Sequence, residues 1–409
     1  MNPIVERLFR YIAVDTQSAR DTGTFPSTEK QKNLGRMLVS ELQGFGVKSA
    51  EMDQYGTVYA TIPASEGVSD DVPVIGFTAH MDTALELPGC NIKPHIIENY
   101  NGEDIILNAE KNIVFSVQEY PHVKQYKGKD IIVCDGTTLL GADDKAGVAE
   151  IMEVAHTLMT DPTISHGEVK ICFTCDEEIG QSTEHLDLEK FNPDFAYSMD
   201  GGEDGEFYYD NFNCGTAVVR IKGKVAHTGY AKGLMVNASH LAMEFHGMLD
   251  PLEVPANTQD REGFIHLSTV RGEVGSAELL YMIRDHELEL YHKKQNKLKR
   301  ISQFLNDKYG EGTIEIEFDD TMYNMRDKIM ENPFVVENAL KAMEQVGITP
   351  RVIPVRGGVD GAEITFKGLP CPNLFTGADR CHTRTEYCCI QSMQLSYELQ
   401  LQLIKNCVK

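Results

Sequence analysis

A chain of 409 residues is long enough for two or three compact domains, which excludes a single small module. Hydrophobic residues make up 42% and charged residues 24% of the sequence, as in ordinary globular proteins, so a largely disordered chain is excluded as well. Acidic residues number 62 against 38 Lys and Arg, and the resulting net charge of −24 disfavours nucleic acid or an anionic membrane as a partner.

The sequence favours a cytoplasmic protein. No stretch reaches the roughly 18 to 20 continuous apolar residues of a membrane helix. Glu6, Arg7 and Arg10 interrupt the segment in which a signal peptide would need an apolar core. The ten cysteines are scattered, without the density of a disulfide scaffold, and the single C-x-x-C, Cys172 and Cys175, has no second pair at zinc-ribbon spacing. We therefore expect free thiols.

The first half of the chain has the pattern of an α/β domain. Apolar residues recur at helical spacing over residues 2–14 and again from Thr28, which forms a predicted capping box with Gln31, to a predicted stop at Gly44. Short strand-like runs then alternate with a helical segment over residues 147–159. This alternation predicts a mixed sheet covered by helices in residues 1–210.

The pattern changes near residue 211 and returns to α/β after Tyr323. Residues 211–321 read as strand, helix, two strands, a charged helix and a strand, which is typical of a small two-layer βαββαβ domain. Residues 322–409 contain two further helical segments and another strand-like run. We expect one α/β domain, formed by residues 1–210 and 322–409, that is interrupted by an inserted lid domain at 211–321.

Acidic and histidine residues repeatedly follow the strand-like runs. Side chains in such positions project from the ends of sheet strands, where α/β proteins place their sites. Each segment alone is a weak signal, because histidines and adjacent carboxylates are common on solvated loops, but five in one chain indicate a site. Oxygen and nitrogen donors without thiolate suit zinc, manganese or cobalt at a hydrolytic centre. The five segments are His80-Met81-Asp82, Gly141 to Lys145, Asp176-Glu177-Glu178, Met199 to Gly202, and His382.

Together with further motifs, these segments resemble the M20 family of co-catalytic metallopeptidases, and within it the tripeptide aminopeptidases. The likeness covers nearly the whole chain, from DTQS at Asp15 through GADDKAG, DEE, DGG and MVNA to FTG at Phe375. It implies a dizinc aminopeptidase that hydrolyses the N-terminal peptide bond of tripeptides, with a metal-bridging water activated by Glu177. A related dipeptidase or N-acyl-amino-acid amidohydrolase is an alternative, and a non-catalytic, metal-stabilised peptide-binding protein is a third.

The resemblance also implies a ligand set. His80 and Asp200 would bind the first metal ion, Glu178 and His382 the second, and Asp143 would bridge both. Three carboxylates bring a charge of about −3 against +4 from two divalent ions, so a bridging hydroxide would neutralise the remainder and a pair of ions is favoured over one. The expected ions are Zn²⁺, with Co²⁺ or Mn²⁺ as alternatives.

Two catalytic roles complete the expected centre. Asp82 lies two residues after His80, on the same side of an extended strand, and can accept a hydrogen bond from the imidazole's other nitrogen. The family assigns Glu177 as the general base, which would take a proton from the attacking water and pass it to the leaving amine. A turn after Glu177 would be needed to aim both Glu177 and Glu178 at one centre.

Substrate binding is assigned by the resemblance to two residues of the inserted segment, His227 and Arg284. An arginine fork pairs well with the terminal carboxylate of a short peptide, and a histidine can steady a tetrahedral oxyanion. The alternative for Arg284 is an ion pair with a nearby carboxylate, Asp285 or Glu287. The expected partners are thus short peptides, with a homodimer through the lid domain as a further hypothesis.

Three segments depart from the usual pattern of these aminopeptidases. His227 is followed by Thr228 where proline is usual, which predicts a freer turn. The segment GADRCHTRTEY around His382 contains less glycine and tyrosine than usual, which bears on substrate preference. Val359 replaces the usual threonine in RGG-x-DGA. The sequence assigns no role to Asn324 or Arg356.

Overall fold

The computed structural model describes residues 2–69 and 71–408. The chain divides into two compact units. Unit 1 comprises Met1–Tyr209, Lys328–Ile353 and Glu363–Lys409, and unit 2 comprises Asp210–Asp327 and Pro354–Ala362. Both units combine helices with sheets, so the predicted α/β fold class is confirmed.

A mixed eight-stranded sheet forms the centre of unit 1. Its most buried strand, β3, has all six residues buried because it is covered on both faces. The four strands β8, β3, β9 and β16 are parallel, so their carboxyl ends meet at one edge. In spatial order the strands are β1 (Glu51–Met52), β2 (Val58–Ile62), β8 (Val169–Thr174), β3 (Ile75–His80), β9 (Phe195–Gly201), β16 (Asn373–Phe375), β10 (Glu206–Tyr208) and β15 (Arg351–Val352).

Helices cover this sheet, and the longest of those in unit 1, α3, packs against β3 and β9 as well as against α1, α2 and α10. Two short helices, α7 (Arg326–Ile329) and α9 (Asp360–Phe366), contain residues of both units. The helices wholly in unit 1 are α1 (Pro3–Ile12), α2 (Gln31–Phe45), α3 (Ala142–Thr160), α4 (Leu188–Phe191), α8 (Phe334–Gln345) and α10 (Ile390–Cys407).

A second, smaller sheet of unit 1 was not predicted. It packs with a hairpin around an aromatic cluster that includes Phe115, Tyr126 and Tyr387. Its four strands are β17 (Ala378–Asp379), β18 (Tyr387–Cys389), β7 (Ile131–Val133) and β4 (His95–Ile97), and the hairpin consists of β5 (Ile105–Asn108) and β6 (Ile113–Phe115). Because β7 pairs with β18, this sheet joins the segment before α3 to the segment that contains His382.

Unit 2 has the predicted βαββαβ order. Its antiparallel sheet has the spatial order β12-β13-β11-β14, and one face packs on two helices around Val219, Phe245 and Leu298. The alternating burial of β11 and β13 matches a sheet with one covered face. The elements are β11 (Asn213–Lys222), α5 (Ala238–Gly247), β12 (Phe264–Gly272), β13 (Ser276–Asp285), α6 (Leu288–Tyr309) and β14 (Ile314–Met322).

The segment Pro354–Ala362 groups with unit 2, although the sequence places it in the second part of the larger domain. Arg356 explains this grouping. Its guanidinium donates to the carbonyl oxygens of Asp260 and Glu262, at 2.8 Å each, and lies 5.1 Å from the ring centre of Phe212. The predicted domain boundaries, 210/211 and 321/322, stay predictions.

Two details of α2 differ from the prediction. Thr28 does not form the predicted capping box, because the helix begins only at Gln31 and no side chain forms a hydrogen bond at its N-cap. The Gln31 side-chain amide does donate to the Thr28 hydroxyl, at 3.3 Å. The helix also continues through Gly44 and ends at Phe45, since Gly46 adopts the left-handed conformation, with φ of 102°, that terminates a helix. None of the described helices combines the length and the apolar character needed to cross a bilayer.

Candidate metal centre

The candidate ligands come from the ends of five different elements of unit 1. His80 is the last residue of β3, Asp200 lies one residue before the end of β9, and Glu178 follows β8. Asp143 is the second residue of α3, and His382 lies in the loop between β17 and β18. The parallel strands β3, β8 and β9 bring three of these side chains to the same edge of the sheet.

His80, Asp143 and Asp200 form one group of potential ligands. The His80 Nε2 atom lies 3.0 Å from Asp143 Oδ1 and 3.8 Å from Asp200 Oδ1. One ligand atom from each of the three side chains lies within 4.8 Å of the other two. The group therefore offers one nitrogen and two oxygen donors that could bind a single cation.

Asp143, Glu178 and His382 form a second group. The His382 Nε2 atom lies 2.8 Å from Glu178 Oε2 and 3.2 Å from Asp143 Oδ2. Asp143 therefore presents Oδ1 to the first histidine and Oδ2 to the second. A carboxylate in this arrangement can serve two cations at once.

The chemistry of both groups fits divalent cations. Imidazole nitrogen and carboxylate oxygen are donors that zinc, manganese and cobalt accept. Within the described chain the buried Glu178 Oε1 has no hydrogen-bond partner. Because an orphaned carboxylate oxygen is costly in a buried position, a cation beside Glu178 would remove that cost.

The carboxylates of the cluster favour positive charge at the two histidines. Burial by itself would lower the pKa of His80, but hydrogen bonds with Asp143 and Asp82 outweigh it and raise that pKa well above its usual value. Hydrogen bonds with Asp143 and Glu178 raise the pKa of His382 to about 11. Burial would raise the pKa of Asp143, yet the two histidines hold it below its usual range. Burial raises the pKa of Glu178.

Asp82 contacts both the first histidine and the turn that contains the two glutamates. The His80 Nδ1 atom lies 3.1 Å from the Asp82 carbonyl oxygen and 3.4 Å from its Oδ1. The Asp82 carboxylate also accepts the main-chain N–H groups of Glu177 and Glu178, at 3.1 and 3.2 Å. The first contact was expected from the sequence, whereas the second was not.

Glu177 lies beside the first ligand group and belongs to neither group. It begins a 3₁₀ turn, Glu177–Ile179, which is flanked by left-handed backbone at Asp176 and Gly180. Its Oε2 atom is 4.0 Å from His80 Nε2, and its side chain is 20% exposed. The turn thus directs both adjacent glutamates toward the same centre, as the chemistry requires.

The two predicted substrate-binding residues, His227 and Arg284, belong to unit 2. His227 is exposed, and its Nδ1 atom accepts the main-chain N–H of Gly229, so the turn after it is held by the histidine itself. The Arg284 guanidinium donates to the carbonyl oxygens of Gly215 and Ile283. Among the described residues Arg284 forms no ion pair.

The two carboxylates that the sequence offered as partners of Arg284 are engaged elsewhere. Asp285 lies 2.6 Å from the Lys294 ammonium, and Glu287 pairs with Arg261 and Arg326. The local ion pair proposed as the alternative for Arg284 is therefore not formed.

Asn324, which the sequence left without a role, joins the two ends of unit 2. Its side-chain amide donates to Asp210 Oδ1 at 2.6 Å and to the His286 carbonyl oxygen at 3.0 Å. Its main-chain N–H donates to Asn213 Oδ1. These hydrogen bonds give Asn324 a structural role where the chain enters and leaves the unit.

Two carboxylates within the predicted site segments, to which the sequence assigned no role, support the centre without being candidate ligands. Asp176 accepts the Ser27 main-chain N–H at 2.5 Å and the Gln31 amide at 2.6 Å, which anchors the turn that follows. Asp144 accepts the main-chain N–H of His80 at 3.1 Å. Both aspartates stand next to predicted site residues in the sequence, and that adjacency is the only local signal for them.

His122, Glu203 and Asp379 form a third group with ligand-like spacing. These side chains already have partners, however. The His122 Nε2 atom lies 3.0 Å from Asp379 Oδ2, which also accepts the Tyr387 hydroxyl, and Arg351 donates to Glu203 at 2.8 Å. The group is satisfied without a cation.

Comparison with known proteins identifies the family of the chain. The family described as Peptidase family M20/M25/M40 matches residues 139–406. Proteins named peptidase T from Alkaliphilus oremlandii and Halothermothrix orenii are 45% and 46% identical over 405 residues, covering 99% of each chain. The crystal structure of aminopeptidase PepT from Bacillus cereus shares the fold, with a TM-score of 0.78 at 23% identity over 100% of this chain and 98% of that one. The resemblance seen in the sequence is thereby confirmed, and the chain belongs to peptidase family M20/M25/M40.

Proposed function

We propose that the protein is a dizinc aminopeptidase that releases the N-terminal residue of tripeptides. The observation that carries the proposal is the position of Asp143, whose two oxygens face two separate groups of ligand atoms. Membership of a peptidase family supports peptide substrates, and the full-length likeness to proteins named peptidase T supports the tripeptide assignment.

Five side chains would hold the ions. His80 and Asp200 would bind one, Glu178 and His382 the other, and Asp143 both. When bound, two divalent ions polarise a scissile carbonyl and lower the pKa of a shared water toward neutrality. Zinc suits this nitrogen and oxygen donor set best, with Co²⁺ and Mn²⁺ as alternatives.

Glu177 would act as the general base. Its carboxylate would take a proton from the attacking water and deliver it to the leaving amine. The support for this role is its place 4.0 Å from His80 of the first ligand group but outside both groups, on a turn in which its main-chain N–H donates to Asp82. Asp82 would act through its neighbours, by orienting the His80 imidazole and fixing the turn.

Two residues of unit 2 would bind the substrate. Arg284 would pair with the terminal carboxylate of the tripeptide, and His227 would stabilise the oxyanion of the tetrahedral intermediate. The support for Arg284 is that its guanidinium contacts only carbonyl oxygens within the described chain, which leaves its charge uncompensated. The exposed imidazole of His227 is likewise accessible to a ligand.

A peptide panel tests the proposed substrate class. The zinc-loaded and cobalt-loaded protein is assayed on a dipeptide, a tripeptide, a tetrapeptide, an N-acetylated tripeptide and an N-acetylated amino acid. We expect the highest kcat/KM for the free tripeptide, with release of its N-terminal residue. Preference for the dipeptide or the N-acetylated amino acid would instead identify a dipeptidase or an amidohydrolase, and no turnover of any substrate would identify a binding protein.

We also propose that the enzyme works in the cytoplasm. No disulfide joins any of the ten cysteines in the described part of the chain, and seven of them are buried, which is usual for a reducing compartment. A homodimer formed through the lid stays a prediction, and light scattering of the purified protein measures it.

A further inference from the structure

The buried carboxylate of Glu386 accepts hydrogen bonds from four consecutive main-chain N–H groups. Its Oε2 accepts those of Leu140 and Gly141, at 2.8 and 3.0 Å. Its Oε1 accepts those of Ala142 and Asp143, at 2.7 and 3.1 Å. Glu386 is only 2% exposed, so these contacts are shielded from water. The last of the four donors belongs to the proposed bridging ligand.

These four N–H groups lie where α3 begins, and the first N–H groups of a helix have no partner within it. A negative charge is also favourable at a helix N-terminus. The start of α3 is irregular, since Gly141 has φ of 75° and Asp143 has φ of −82° and ψ of 108°. The regular helical hydrogen bonds therefore do not hold this segment, and Glu386 supplies the contacts that do.

Strand pairing explains how a residue so distant in sequence reaches this segment. Glu386 directly precedes β18, which pairs with β7, and Tyr387 is opposite Val133. The chain after β7 leads to Asp143, while the loop before β18 contains His382. The same pairing thus brings together the segment with the bridging carboxylate and the loop with a histidine that contacts it.

We propose that Glu386 is a positioning residue of the metal centre. It holds the main chain of Asp143 so that one carboxylate faces His80 and His382 at once, 3.0 and 3.2 Å from their Nε2 atoms. This inference rests on the proposed function, in which Asp143 bridges two ions. The competing explanation is that Glu386 stabilises the fold and has no effect on the ions.

The test compares Glu386→Gln with Glu150→Gln. Glutamine preserves size, but its amide nitrogen cannot accept hydrogen bonds, so two of the four N–H groups lose their acceptor. Glu150 is a matched control because it is a fully buried glutamate of α3 whose carboxylate contacts Ser396 and none of the proposed ligands. The purified proteins are stripped with a chelator, and zinc affinity, the visible spectrum of the cobalt form and the apo-protein Tm are measured.

We expect Glu386→Gln to weaken zinc binding by about 10- to 100-fold, the usual effect of losing a residue that orients a ligand, and to alter the cobalt bands. Glu150→Gln should leave the zinc affinity and the cobalt bands unchanged, even if the Tm of its apo-protein falls as much as that of Glu386→Gln. If Glu386→Gln does not fold, Glu386→Asp replaces it and should show a smaller loss of affinity, because the carboxylate is kept but shortened.

Other results overturn the inference in distinguishable ways. A wild-type chain that binds two ions, together with unchanged affinity and spectrum in the Glu386 variant, refutes the positioning role alone. Equal losses in the Glu386 and Glu150 variants refute it too, since general destabilisation would then explain both. A wild-type chain that does not bind two ions refutes the proposed function, and the inference falls with it.

Discussion

Replacing Glu177 with alanine removes the proposed general base and leaves every proposed ligand in place. The turn should persist, because the contact between Glu177 and Asp82 is made by the main-chain N–H and not by the side chain. The side chain is 20% exposed and is not a proposed ligand, so we expect a stability change of about 1 kcal/mol, which is ordinary for a single substitution. Loss of positioned acid–base catalysis should lower kcat by about 10²- to 10⁴-fold. That corresponds to about 2.7 to 5.4 kcal/mol of activation free energy.

The assay measures kcat on a tripeptide and metal content in the same zinc-loaded sample. Glu177→Ala should retain two ions per chain while losing activity. Glu178→Ala is the matched comparison, because its carboxylate lies 2.8 Å from His382 Nε2 and its loss should remove an ion. If Glu177→Ala loses an ion, Glu177 is a ligand, and a kcat within threefold of wild type would refute the assignment of the base.

Three further predictions follow from individual contacts. Arg284→Ala should lower kcat/KM more for a free-acid tripeptide than for its C-terminal amide, and the difference should correspond to about 1.5 to 3 kcal/mol of transition-state stabilisation. Arg284→Lys should recover part of this loss. Equal losses on both substrates would show that Arg284 does not bind the terminus. Asp82→Ala should weaken zinc binding by about 10- to 100-fold in a chelator competition, and unchanged affinity would exclude its orienting role. Burial would raise the pKa of Asp210, but the neighbouring His286 imidazole and the Arg261 guanidinium outweigh it, so the pKa lies below its usual range. The charged form of Asp210 therefore stabilises the fold above about pH 4, and this contribution is lost as the pH falls toward the lowered pKa. Wild type should consequently lose more Tm than Asp210→Asn below about pH 4, and parallel acid profiles would contradict this.

Local patterns in the sequence were sufficient to predict much of the fold. Alternation in the strands of unit 2 predicted the βαββαβ order, because the burial of β11 and β13 follows directly from a period of two. The capping box at Thr28 was wrong because the helix begins at Gln31 and its N-cap is Lys30, so Thr28 lies before the capping position. The end of α2 was misplaced because Gly44 and Gly46 are both suitable stops, and only the structure distinguishes them.

The segments that contain the candidate ligands could be found because each follows a strand or begins a helix, and parallel strands bring their ends together. The ligand within each segment was assigned by the family resemblance. Glu386 could not be found in this way. Its partners are main-chain N–H groups 243 to 246 positions away, and main-chain groups have no residue type to recognise in a sequence. The supporting role of Asp176 could not be predicted for a similar reason, since its partners Ser27 and Gln31 are 145 to 149 positions away.

The number of divalent ions bound per chain tests the central claim most directly. The apo-protein is equilibrated with zinc, dialysed, and analysed for zinc by mass spectrometry beside an Asp143→Ala variant. A centre bridged by Asp143 predicts two ions per wild-type chain and at most one in the variant, because both ligand groups lose an oxygen. One ion or none in the wild type, or two in Asp143→Ala, would contradict it.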